Sequence, residues 1–479
     1  VSVPRPPQCL EVDRLIGLAV ATAKDGQSAL SHRLLTEAVD QLEGVGAGER
    51  PLRESVTSAH YERIVEAYTR LLPPAYADSA SEQIAMLIFQ RQLARSYDTL
   101  SIPNADSLAR TFIACEQNTE YDVPIVHNER VIKALHFFSK GKKGPVGKWL
   151  NRGTYYLPLM KRMYADSGLP TDLAYLPLIE SGFNPKAYSY AHASGLWQFI
   201  SSTGWLYGLR RSFWLDERRD PIKSTGSAIS YLKELYAEFG HWYLALAAYN
   251  CGEGNVRRAI RGSGSKDFWQ LRLPRETMNY VPQFIAALIV AKNPDCFGFT
   301  VEPREAFNLD TVYVSECLDL STVSEGIGVD ADTLRRLNPH MLRWCTPPDA
   351  DDVLLYIPPK SAEEFRTFLA TLDESDKVRW HRYRIRRGDN LISIAHRYAI
   401  SVSALKSVNG LRSNRIIAGK HLIIPRPAGG TAPKAVSSGG GRTRRPVPSR
   451  RPTIKYRVKT GDTVSELADL FGVAIGDLC

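Results

Sequence analysis

A nine-residue pattern near the C-terminal end occurs twice. Tyr383-Arg-Ile-Arg-Arg-Gly-Asp-Asn-Leu391 returns as Tyr456-Arg-Val-Lys-Thr-Gly-Asp-Thr-Val464, and the offset of 73 persists through Ala395 and Ala468, Tyr398 and Phe471, and Leu405 and Leu478. An offset held over this length means copies of one folding unit, which excludes a single continuous domain. A weaker copy lies upstream at an offset of 71: Val314 stands for Ile385, Leu320 for Leu391, and Leu337-Asn338 for Val408-Asn409. After a small length difference Tyr356-Ile-Pro358 closes it as Ile423-Ile-Pro425 closes the next, while Cys317-Leu318 replaces the Gly388-Asp389 turn. Each full unit reads as strand, two short helices, strand. The units run over 311–359, 381–426 and 456–479. The third breaks off halfway, at Cys479, and a half-unit is not expected to fold alone.

From Arg426 to Lys455 the chain is rich in Pro, Gly, Ser and Arg, with eight basic residues and no acidic one. With almost no apolar surface to bury, 427–455 reads as a solvated linker. Lys and Arg number 61 against 51 Asp and Glu, a formal charge of +10 that suits a polyanion: nucleic acid, anionic lipid or an acidic wall polymer. Nucleic acid is the weakest of these, because the basic residues concentrate in the linker and match no recognition motif. The seven cysteines are scattered, odd in number and without a C-x-x-C pair, so neither a zinc site nor a disulfide framework is indicated, and no metal or cofactor is expected. His136 has no second ligand at i+3 or i+4. No apolar run approaches the roughly 20 residues that cross a bilayer. The chain opens at Val1 without a basic-then-apolar leader, and any targeting or anchoring segment is expected to lie outside it.

Before residue 295 the periodicity is helical. Helices over Ser28–Gly44, Tyr61–Leu72 and Gln83–Tyr97 make 1–120 a scaffold with no visible chemistry. The region 121–295 is different, because it contains Leu176-Pro-Leu-Ile-Glu180-Ser-Gly-Phe-Asn-Pro185, an acidic side chain closing an apolar run just before a turn. Leu178, Ile179 and Phe183 would desolvate Glu180 and raise its pKa, which is how a general acid is made. Asp220 and Pro221 start a helix that ends at Gly240, and Trp242–Asn250 forms a buried helix with Tyr249 and Asn250 at its far end. A last helix spans Glu276 to Ala291, with Pro282 expected in its first turn. An ordinary glycosidase needs a second carboxylate. Asp216, Glu217 and Asp220 are the nearest, but capping accounts for Asp220 and solvent exposure for the other two; Glu253 and Glu276 remain as neighbours of undefined role. Trp197, Phe199 and Trp205 read as core more readily than as sugar platforms.

Glu180-Ser181-Gly182, Gly195-Leu-Trp-Gln198, Ala248-Tyr249-Asn250 and Tyr280, in this order and spacing, resemble the lysozyme-like catalytic domain of the lytic transglycosylases, most closely the membrane-bound lytic murein transglycosylase D branch. The repeats resemble LysM modules, which bind N-acetylglucosamine-containing glycans. The resemblance implies an α+β multidomain protein: a helical N-terminal region, a mainly α lysozyme-like domain, then small βααβ LysM modules. It implies scission of the MurNAc-β-1,4-GlcNAc bond of peptidoglycan, with Glu180 as acid and then base and a 1,6-anhydro product. Ser181, Gln198, Tyr249, Asn250 and Tyr280 would contact substrate or steady Glu180. Gly388, Asp389, Asn409, Gly461 and Asp462 would serve the LysM modules, where structural and binding roles cannot be separated by sequence. The expected setting is the periplasm or outer membrane, with peptidoglycan strands as partner. A goose-type lysozyme-like hydrolase and a non-catalytic wall-binding scaffold stay open as alternatives.

Overall fold

The structure is a computed structural model that describes residues 7–24, 28–44, 80–99, 119–140, 145–372 and 380–425, apart from Tyr190, Phe213, 348–351 and scattered positions between 399 and 412, together with isolated residues at 63–67 and 109–114. The linker, the half-unit with Gly461 and Asp462, and most of the helix expected over Tyr61–Leu72 lie outside the described residues. None of the described helices is long and apolar enough to cross a membrane. Two compact units emerge, and 1–71 belongs to the first. In it, α1 (Pro7–Lys24) packs on α2 (Ser28–Gly44), with Val12, Leu15, Ala19 and Leu35 buried.

The second unit holds the main core. Its helices are α3 (Ala80–Thr99), α4 (Glu129–Lys140), α5 (Val146–Asp166), α6 (Pro177–Glu180), α7 (Ser201–Leu206), α8 (Pro221–Phe239), α9 (Trp242–Cys251), α10 (Glu253–Ser263) and α11 (Arg275–Lys292). Helix α9 is buried on every side from Trp242 to Ala248, as a helix apolar all round must be. It packs between α8 and α11, and α11 also touches α4 and α6. The chain punctuation explains the boundaries. Asp220 accepts from the N–H groups of Ile222 and Lys223, both at 2.9 Å, Pro221 takes the first helical position, and Gly240 stops α8 in the left-handed conformation at φ 71°. Pro282 departs from expectation: α11 starts at Arg275, so the proline lies in the helix interior and is buried there, where packing offsets the backbone bond it cannot donate. The core also reaches back before residue 120. Phe89 of α3 makes edge contacts with Trp149 at 4.9 Å and Phe138 at 5.2 Å, and Phe112 stacks on Phe297 at 5.5 Å.

The upstream repeat copy is β1 (Asp310–Val314), α12 (Leu320–Gly326), α13 (Ala331–Leu337), β2 (Val353–Ile357) and α14 (Ala362–Thr371). Strands β1 and β2 pair antiparallel from Asp310 opposite Ile357 to Val314 opposite Val353. Helix α14 contributes Phe365 to the same small core, so this folded piece runs past 359. In the next copy β3 (Trp380–Arg384) pairs antiparallel with β4 (His421–Pro425), and α15 (Leu391–Arg397) opens with a capping box between Asn390 and Ser393. One asparagine does the same work in both copies. Asn338 donates to Leu334 O (2.9 Å) and Tyr356 O (2.6 Å) and accepts from Tyr356 N (2.8 Å). Asn409 donates to Leu405 O (2.7 Å) and Ile423 O (2.9 Å) and accepts from Ile423 N (2.6 Å). Each ties the last helical turn to the closing strand.

The upstream module is docked on the helical domain. Asp216 N–H bonds His340 O at 2.9 Å and Leu342 N–H bonds Trp214 O at 2.8 Å. The Tyr356 hydroxyl lies 2.8 Å from both carboxylate oxygens of Asp220, and both residues are fully buried. Phe307 N–H bonds Tyr155 O at 2.7 Å on the approach.

Candidate active site

Helix α6 is a single turn, too short to persist alone, and its neighbours hold it. Arg152 donates to Gly182 O at 3.1 Å, and Gly182 itself adopts φ 58° against the Trp149 ring, where a Cβ would stand 2.4 Å from Trp149 Cδ1. Glycine is therefore required after Glu180-Ser181. Phe183 continues the turn at φ 55° and is buried. The chain thus leaves α6 sharply and Glu180 ends it, half-buried.

Tyr280 of α11 donates its hydroxyl to Glu180 Oε1. Burial pushes the Glu180 carboxyl up to about 7; the Tyr280 bond works against that shift and the charge of Glu276 adds to it. Near neutral pH the group is therefore poised to hold or release a proton. Burial, reinforced by the charge of Glu180, raises Tyr249 and Tyr280 well above the ordinary tyrosine value, so both remain neutral hydroxyls.

The loop 195–199 forms the other wall. Ser181 is buried and donates to Leu196 O at 2.9 Å, which ties α6 to this loop and occupies its hydroxyl. Gly195, at φ 85°, lies so close to the Arg218 carbonyl that a Cβ would come within 1.8 Å of it. Tyr249 donates to Trp197 O at 2.7 Å, and Trp197 Nε1 donates to Thr225 Oγ1 at 3.0 Å. Gln198 is half-buried at φ 48°, a region uncommon for a residue with a side chain, and its amide donates to Gly195 O at 2.8 Å. Asn250 Oδ1 accepts from Thr277 Oγ1 at 2.7 Å, which fastens the end of α9 to α11. Glu180, Tyr249 and Tyr280 thus come together, Gln198 follows Trp197, whose carbonyl Tyr249 holds, and Ser181 ties Glu180's turn to the same loop. Trp197 and Phe199 are core, whereas Trp205 is 74% exposed beside exposed Leu206.

The three carboxylates after the site correct one expectation. Asp220 is a cap, as the sequence indicates, but Asp216 and Glu217 are buried, not solvent-exposed. Arg218, itself buried, reaches both Asp216 oxygens at 2.9 and 2.7 Å. Glu217 accepts from Arg210 at 2.9 Å and Lys223 at 2.6 Å; burial raises its carboxyl, yet these bonds outweigh burial and hold it below the ordinary value. None of the three is available to activate a water. Arg218 was not legible as a site element, because nothing in its spacing shows that its guanidinium also bonds His192 O (2.7 Å) and Phe199 O (2.9 Å), clamping the loop behind Gln198.

In the module at 381–426, Gly388 turns at φ 92° and Asp389 accepts from the Tyr383 hydroxyl (2.6 Å) and Arg386 N–H (2.7 Å). Asp389 and Asn409 are both engaged within the module.

Residues 159–272 match the transglycosylase SLT domain, residues 383–425 and 456–479 match the LysM domain, and residues 308–374 match the LysM-like domain of lytic transglycosylase MltD. The membrane-bound lytic murein transglycosylase D of Escherichia coli (strain K12) is 32% identical over 326 residues, 65% of this chain and 69% of the relative. An autolysin of Enterococcus faecalis is 33% identical over 97 residues, 20% of this chain and 12% of the relative. The membrane-bound lytic murein transglycosylase C of Haemophilus ducreyi is 28% identical over 131 residues, 24% of this chain and 36% of the relative.

Proposed function

The chain belongs to the membrane-bound lytic murein transglycosylase D family and is a lytic murein transglycosylase of peptidoglycan, and from that premise we propose that Glu180 alone carries both proton transfers of a non-hydrolytic cleavage. The Glu180 carboxyl gives its proton to the oxygen linking MurNAc C1 to GlcNAc. The C1–O bond breaks and the GlcNAc end leaves as an alcohol. The carboxylate left behind then takes the proton from the MurNAc C6 hydroxyl as that oxygen closes onto C1, giving the 1,6-anhydro ring. No water enters, and Glu180 ends protonated, ready for the next cycle.

The observation that carries this reading is a carboxyl raised to about 7, while the buried acids of the same domain among the described residues, Asp172, Asp216, Glu217 and Asp220, are engaged in ion pairs and caps and Glu276 is exposed. A hydrolase would need a second carboxylate placed to activate water. Tyr280 positions the Glu180 carboxyl. Gln198, Tyr249 and Asn250 would meet the sugar and its N-acetyl groups, and Ser181 would act from behind by fixing the loop. The LysM module at 381–426 would hold glycan, each module weakly and the set more strongly through effective concentration, with Gly388, Asp389 and Asn409 shaping its surface. The place of action would be the periplasmic face of the cell envelope or the outer membrane.

Mass spectrometry of muropeptides released from purified sacculi tests the chemistry. The expected product carries anhydro-MurNAc ends, lighter by one water than a hydrolytic product. Reducing MurNAc ends would overturn it in favour of a lysozyme-like hydrolase.

A further inference from the structure

We propose that Cys317 and Cys345 form a disulfide that clasps the two loops by which the LysM-like module grips the transglycosylase domain. The two residues stand 28 positions apart, one between β1 and α12, the other between α13 and β2. The loops are zipped together: Thr346 N–H bonds Leu318 O (2.9 Å), Leu320 N–H bonds Trp344 O (2.8 Å), and Asp319 faces Cys345 in an antiparallel bridge. The Thr346 hydroxyl closes the end by accepting from Leu318 N–H (2.8 Å) and donating to Glu316 O (2.7 Å). In that register Cys317 and Cys345 lie on the same side of the pairing as diagonal neighbours, so a bond between them draws the two loops together. Cys345 is fully buried, and half-buried Cys317 and Trp344 pack with it against Trp214.

Cys317 Sγ donates to Thr346 O at 3.2 Å, and the neighbouring Cys317 thiol first, then burial, pushes the Cys345 thiol well above its usual value. Buried Cys345 is the slower thiol, and the more accessible Cys317 is the sulfur that starts exchange. Its thiolate attacks a disulfide oxidant such as oxidised glutathione, forming a mixed disulfide and releasing one thiolate. Cys345 then loses its proton and displaces the second thiolate from Cys317 Sγ. Two electrons and two protons pass from the pair to the oxidant, which leaves as two thiols.

The consequence falls on the docking surface. Leu342, three residues before Cys345, bonds Trp214 O, and Trp214 lies on the thiol pair. Closing the ring would restrict the unfolded chain and fix both loops beneath Trp214.

The test uses the full chain equilibrated in glutathione buffers from reduced to oxidised, quenched in acid, alkylated and digested. The expected result is a peptide pair joining Cys317 to Cys345, lighter by two hydrogens, that accumulates with oxidised glutathione and raises the melting temperature by about 5 °C. The C317S/C345S variant should lack both the pair and the rise; should that variant fail to fold, the comparison of reduced with oxidised wild type still decides. Alkylation of both residues in the fully oxidised buffer, or Cys345 joined only to glutathione or another cysteine, would overturn the proposal. The readout is the bond itself, so the outcome is independent of the Glu180 chemistry.

Discussion

Two sets of buried acids stand within one domain and have opposite characters. Glu180 meets a tyrosine hydroxyl and apolar walls, and its carboxyl is raised to about 7. Asp216, Glu217 and Asp220 lie deeper, yet they are wrapped by Arg218, Arg210, Lys223 and backbone N–H groups. Burial penalises the charge of any carboxylate. Between Glu180 and Glu217 the difference lies in the partners: a lone tyrosine hydroxyl leaves Glu180 raised, whereas Arg210 and Lys223 hold Glu217 below the ordinary value. The second set does its work mechanically, since Arg218 and the Gly195 contact support the loop that presents Gln198.

The sharpest way to break this contrast is to remove the proton of the first set. Glu180→Gln should cut sacculus lysis by about 10²–10⁴-fold, the range for loss of general acid–base catalysis, with glycan pull-down unchanged. It should also stabilise the fold in a pH-dependent way. The folded carboxyl binds its proton more tightly than the unfolded one, so wild-type stability falls as pH rises from the unfolded value near 4.5 through about 7. The variant lacks that penalty, and its advantage, on the order of 1–3 kcal/mol above pH 7, should vanish towards pH 4; urea unfolding across pH reads it.

Removing a cation from the second set tests the brace. Arg218→Met leaves Asp216 buried without its partner, and urea titration should show a loss of about 3–5 kcal/mol. A loss below 1 kcal/mol would mean that the pair is not the support described.

Smaller effects probe the single donors. Tyr280→Phe removes the bond that favours the charged form of Glu180, so the alkaline limb of the pH–rate profile should move upward while kcat falls about 10-fold. A downward move would contradict the assignment of the donor. Tyr356→Phe takes a hydroxyl from buried Asp220 and should cost about 1–2 kcal/mol of stability, with the product unchanged by mass spectrometry.

Legibility followed sequence distance. Helix α8 was readable at both ends because Asp220-Pro221 and Gly240 act on their immediate neighbours. Glu180 was readable because its desolvating residues adjoin it in the chain. The burial of Asp216 and Glu217 was not, because it depends on a module more than a hundred residues later laying His340 and Leu342 across that segment. Local charge density argued for exposure there, and tertiary pairing overrode it. Pro282 was misplaced although the start of α11 was found to within one residue, since from Glu276 or from Arg275 after Pro274 it falls beyond the first turn. Asn409 was expected to serve the module in a role that sequence left open, and its three bonds, repeated at Asn338, identify it as a fastening within the module.

The seat of Tyr356 on Asp220 bears on how the gene can be dissected. A fragment ending near residue 295 would contain the whole Glu180 pocket and still be cut through its own interior, with Asp220 and the Trp214 face opened to water. The smallest excerpt able to stand as an enzyme should therefore extend to about residue 372, so that what looks like an accessory repeat travels with the catalyst as part of its wall.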